Sequence, residues 1–160
     1  MDESDEPREP LRLASSRRLS LVGQGEDSVD PVDDPLAYGT PRPALTSIAI
    51  KADGDWIEAT ATMALNGQVL TGTSAGDAPD RTAIVAAATL TAVSSLLDAE
   101  ASIVSSQIVD VSGHDVALTI VTLLAGDHTK SLVGSALVRG DSEDATARSV
   151  LSALNRRLSR

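Results

Sequence analysis

Two histidines each stand beside an aspartate, as His114-Asp115 and Asp127-His128, and imidazole with carboxylate is a donor pair from which zinc sites are built. Both pairs fall in expected turns at opposite ends of one strand, 116–124. At roughly 3.3 Å per residue they stand about 30 Å apart, too far to share an ion. Solvated turns account for them, and no metal is expected. Ser135 carries a nucleophile's hydroxyl, but Gly134-Ser135 lacks the Gly-x-Ser-x-Gly elbow and falls inside a strand, where a small residue serves packing. Asp141, Glu143 and Asp144 offer acid–base chemistry. First-turn carboxylates, however, are what a helix N-terminus attracts as caps and dipole partners. Arg156, Arg157 and Arg160 suit the opposite end of that helix for the same reason. No catalytic residue and no cofactor is expected.

Gly72 to Asp80 has the most scope for holding a small molecule. It reads as a small-residue loop ahead of a helix N-terminus, whose free amides attract carboxylate or phosphate. Its candidate ligand-binding residues are Gly72, Thr73, Ser74, Gly76, Asp77 and Asp80.

The elements that would position these residues are legible from periodicity. Ser47–Ala52 reads as a strand and Asp53-Gly54-Asp55 as a turn. Ile57, Ala59, Ala61, Met63 and Leu65 alternate with Glu58, Thr60 and Thr62, the period of a strand with one buried face. Asn66-Gly67 is a strong hairpin signal, and Gln68–Ser74 returns as a third strand. Asp80–Leu97 carries the helical stripe Ala86, Leu90, Val93, Leu97. The order then repeats: strands at Ser102–Ser112, Val116–Leu124 and Lys130–Arg139, and a helix capped by Asp141 or Ser142 with the stripe Ala147, Leu151, Leu154, Leu158. Leu90 and Leu151, equivalent in this scheme, are both expected to be buried.

Short runs recur with the elements. Gly54-Asp55-Trp56 answers to Gly113-His114-Asp115 and Thr62–Gly67 to Val121–Gly126, each 59 residues on. Leu70–Thr73 answers to Leu132–Ser135 at 62 and Ala88–Val93 to Ser149–Leu154 at 61. A long period present twice predicts one pseudo-symmetric α+β domain of two tandem β-β-β-α units, 46–99 and 100–160, rather than an array. Two such units can bury their surfaces by sharing a six-stranded sheet or by packing helix beside helix.

Residues 1–45 are of another kind, with Pro7, Pro10, Pro31, Pro35, Pro41 and Pro43 among acidic clusters, and read as a disordered tail. Its island Leu11–Val22 reads as sticky tail or as a segment that orders on a protein partner. Ser20, preceded by Arg17-Arg18, fits a basophilic-kinase phosphosite. The chain has no cysteine, so it forms no disulfide, and a cytoplasmic setting is expected. No run of about 20 apolar residues offers a membrane span. The net charge of −10 disfavours nucleic acid and anionic membrane surfaces as partners.

Asp141-Ser142-Glu143-Asp144-Ala145-Thr146-Ala147-Arg148-Ser149-Val150-Leu151-Ser152-Ala153-Leu154-Asn155-Arg156 resembles the closing helix of the C-terminal regulatory domain of 2-isopropylmalate synthases, which ends in an Ala-Leu-Asn-Arg-like run. The doubled β-β-β-α order is similar to that family's layout, and the resemblance spans about 46–158. It implies a non-catalytic domain that dimerises and binds an end-product amino acid near the interface of its two units. Of the family's glycine-rich loop only Gly72, Gly76, a displaced Pro79 and Ala83 stand here, so leucine binding does not carry over. The sequence carries no catalytic barrel, and no synthase activity is expected. The expected function is a non-catalytic regulatory or interaction module, homodimeric, with a carboxylate-bearing small molecule such as an amino acid as ligand. The alternative is a small enzyme with an interface pocket.

Overall fold

The computed structural model describes residues 41–158. The tail before residue 41, with the Leu11–Val22 island and Ser20, and Arg160 at the other end lie outside the described residues.

Six strands and two helices follow in the expected order: β1 (Ala44–Asp53), β2 (Trp56–Leu65), β3 (Gln68–Asp77), α1 (Arg81–Val93), β4 (Glu100–Val111), β5 (His114–Ala125), β6 (His128–Leu137) and α2 (Ser142–Leu154). The first strand begins at Ala44, two residues ahead of the expected boundary, and Pro43 before it is already buried. Strands β1-β2-β3 form one antiparallel sheet and β4-β5-β6 another, so the six strands do not join in a single sheet. The Asn66-Gly67 turn has positive φ at both residues, 50° and 76°, as a two-residue hairpin of the favoured twist requires.

Helix pairing supplies the closure that a shared sheet would have given. α1 packs on β2 and β3 of its own sheet, on β4 of the other, and on α2. It is accordingly buried nearly all round, with Ile84, Val85, Ala86, Ala88, Leu90, Ala92 and Val93 in the core. Thr82 Oγ1 donates to the Ser106 carbonyl of β4 at 2.9 Å, tying α1 to the second sheet. Ile57, Ala59, Ala61 and Met63 from β2 and Val121 and Leu123 from β5 meet these helices in one continuous aliphatic core.

Leu90 is buried, whereas its partner Leu151 is only half-buried, because α2 meets β1 of the other unit less extensively than α1 meets β4. Leu90→Ala is expected to cost about 2–5 kcal/mol in chemical unfolding of the full chain, and Leu151→Ala clearly less. Equal costs would contradict this packing.

Register corrects the repeat. Met63 pairs with Leu45 and Leu70, as Val121 pairs with Ile103 and Leu132. Met63 therefore answers to Val121, 58 residues on, and Leu70 to Leu132, 62 on. The sequence spacing of 59 matched Thr62 to Val121, but Thr62 lies on the outer face and Val121 is fully buried. A slip of one residue exchanges the two faces of a strand. The four residues by which the offset grows lengthen the β5–β6 hairpin relative to the β2–β3 hairpin.

Candidate functional site

The stretch Gly72–Asp80 is not a loop. β3 continues through Asp77, and a single 3-10 turn over Ala78–Asp80 leads into α1. Strand alternation divides the six candidate residues. Gly72, Ser74 and Gly76 face the helix, while Thr73 and Asp77 are exposed on the other face of the sheet. Asp80 occupies the N-cap of α1 without a side-chain capping bond. The six residues do not converge on one concavity.

Gly72 has a packing reason to be glycine. A Cβ there would collide with the backbone of Ala88 and Ala92 and would lie 2.8 Å from the Thr91 carbonyl carbon. Gly134 stands in the same relation to α2, where a Cβ would meet the Ser149 carbonyl oxygen and lie 2.9 Å from Ala153 Cα. Each helix thus lies directly on the third strand of its unit, and glycine makes the approach possible. Gly134, rather than Ser135, is the small packing residue on β6; Ser135 faces outward and is exposed.

His114 opens β5 and His128 opens β6, placing the two His/Asp pairs at opposite ends of the 12-residue β5. Among the described residues no three His, Asp or Glu side chains gather as a metal would need. A buried hydroxyl relay joins β4, β5 and α2: Ser106 Oγ lies 3.0 Å from Thr119 Oγ1, which lies 2.6 Å from Ser149 Oγ, which donates to the Thr146 carbonyl at 2.7 Å. Every buried side-chain polar atom among the described residues has a partner, so these hydroxyls hold α2 on its sheet.

At the start of α2 the Asp141 carboxylate accepts the Glu143 amide at 2.9 Å, the N-cap bond. Asp144 pairs with Arg148 one turn on, at 2.8 Å. Glu143 pairs with Arg81, linking the N-termini of the two helices and hence the two units. Hydrogen bonding with the Asp141 carboxyl, and after it with its own backbone amide and the Arg81 guanidinium, lowers the Glu143 pKa from 4.5 to about 2 against the opposing effect of burial. The same contact with Glu143 raises that of Asp141. A depressed acid stabilises the fold above its ordinary pKa and loses that contribution as pH falls, while the raised Asp141 acts in the opposite sense. The stability difference between wild type and Glu143→Gln, about 1 kcal/mol for a pair whose arginine is half exposed, is therefore expected to shrink between pH 4.5 and about 2 in urea titrations. A constant difference would contradict the linkage.

The two sheets differ most on the faces turned away from the helices. Across the first, the rows read Lys51–Glu58–Ala75, Ala49–Thr60–Thr73 and Ser47–Thr62–Thr71. Across the second they read Val109–Val116–Leu137, Gln107–Leu118–Ser135 and Ser105–Ile120–Val133, with no charged residue. Val133 is 63% exposed and Leu137 50%, and Val104, Val111 and Leu124 of the same sheet are exposed as well. The positions are structurally equivalent, so the fold itself does not demand this apolar face. Contiguous exposed apolar surface of this kind marks interaction sites. Sequence reasoning missed it, although Val116–Leu124 is apolar at seven of nine positions where the first unit alternates.

No helix among the described residues is long and apolar enough to cross a membrane. Compared with protein-family models and with curated protein sequences, the chain matches none.

Proposed function

We propose that the folded part is a non-catalytic regulatory or interaction module that works as a homodimer, its two copies meeting through the outer face of β4-β5-β6. The carrying observation is the contrast between the three central rows of the outer faces of two duplicate sheets, threonine-rich with a Lys51–Glu58 pair at 3.8 Å in one and largely apolar without charge in the other. A second copy suits this face because a largely apolar patch can meet its own copy about a twofold axis. The absence of charge from its central rows, with Glu100 at the margin beside Leu124, also lets two chains of net charge −10 meet there without like charges in contact. Sheets stack about 10 Å apart through such faces.

The resemblance to the regulatory domain of 2-isopropylmalate synthases supports the same reading, as do the shared β-β-β-α duplication and the structural roles found for the candidate catalytic groups. Sedimentation of the full chain at micromolar concentration tests it. The expected mass is twice 16.5 kDa; a monomer mass maintained across a tenfold dilution range would reject the module as a dimer.

A further inference from the structure

The duplication supplies an internal control for one more feature. Leu97, Leu123 and Ala125 form the apolar wall of a cleft of about 330 Å³ whose rim carries Lys130, Arg157 and Asp98. A second cleft of about 550 Å³ adjoins it, sharing Lys130 and Arg157 and adding Arg156. By register Lys130 answers to Gln68, since Leu123 pairs with Lys130 as Leu65 pairs with Gln68. By the equal lengths of the helices Arg157 answers to Leu96. The first unit folds with a neutral amide and a leucine where the second has two cations. Ala125 and His128, also on the cleft, belong to the added length of the β5–β6 hairpin. Compensation of the helix dipole covers Arg156 and Arg157 but not Lys130, which sits on a strand. Lys130 and Arg157 make no ion pair with another described residue, in a chain with a large excess of carboxylates.

We infer that this cleft is a binding site for a small aliphatic monocarboxylate, with the carboxylate on Lys130 and Arg157 and the alkyl chain on Leu97, Leu123 and Ala125. An arginine matches a carboxylate with two parallel hydrogen bonds, and the lysine adds a point charge. The volume is at the small end of the roughly 300–1,000 Å³ usual for ligand pockets, which suits a short chain. Asp98 on the same rim repels a second anionic group, so a monocarboxylate is favoured over a dicarboxylate. The lining of this cleft includes none of the outer-face residues, although the adjoining cleft reaches Val133, and the site is complete within one chain.

The test is isothermal titration of the full chain with hexanoate, phosphate, hexanol and succinate at matched ionic strength. Hexanoate is expected to bind more tightly than the other three, because only it combines a single anionic head with an alkyl chain. The variant Lys130→Gln with Arg157→Leu, which places in the second unit the residues of the first, is expected to weaken hexanoate by about tenfold or more while keeping the wild-type circular dichroism. Should the double variant unfold, Lys130→Gln alone carries the comparison. Hexanoate binding no tighter than phosphate or hexanol, or undiminished in the folded variant, would overturn the site.

Discussion

Gly72→Ala and Gly134→Ala are each expected to destabilise the protein at or beyond the upper end of the about 1–3 kcal/mol typical when a methyl is forced into a packed core. The added Cβ meets helix backbone in both cases, and backbone cannot rotate aside as a side chain does. Relief requires the helix to lift from its sheet, which would loosen Val85, Val93, Val150 and Leu154, all fully buried. Gly126→Ala is the control. It has open space around it but a φ of +60°, so its cost is the left-handed strain of about 1–2 kcal/mol alone. Denaturant midpoints of the three variants give the comparison. If the packing glycines cost no more than the turn glycine, the helices do not sit on β3 and β6 as described. For Gly72 the result also separates two roles, because a glycine kept for ligand access would lose binding while leaving stability intact.

Val133→Glu with Leu137→Glu is expected to separate the dimer into folded monomers, weakening association by at least about two orders of magnitude. Both side chains are exposed in the single chain, so a carboxylate there is solvated and costs the monomer little. Between two copies it would be buried without a partner, at about 3–5 kcal/mol for an uncompensated charge. Thr73→Glu, on the outer face of the first sheet, is expected to change nothing. Light scattering with circular dichroism reads both mass and fold. Dissociation by Thr73→Glu, or none by the paired substitution, would move the interface elsewhere.

The strands and helices were legible because their signals are local: Ile57 to Leu65 alternates, and Leu90 and Leu154 sit on stripes of helical period. What local pattern could not carry was the relation between elements. Gly72 to Gly76 reads as loop because small residues and glycine are turn residues, yet Gly72 is small because a helix backbone lies against it, and Gly76 faces the Ile84 side chain. The repeat spacing slipped by one in β2 and β5 because Gly54 and Gly113, both turn glycines, occupy different positions within their hairpins. With the slip, the outer residues of β2 were set against inner residues of β5, which hid the contrast between the two outer faces. It also hid Lys130 opposite Gln68. Each cation of the cleft had a sufficient local explanation, and only the registered comparison of the two units shows that the fold does without them.

The claim that two copies meet through β4-β5-β6 is tested most directly by isotope-filtered nuclear Overhauser spectroscopy on a mixture of methyl-labelled and unlabelled full chain. The expected result is intermolecular contacts from the methyl groups of Ile120, Val133 and Leu137. Intermolecular contacts confined to the Thr60, Thr62, Thr71 and Thr73 methyls of the first sheet, or none at concentrations where sedimentation shows a dimer, would contradict the account.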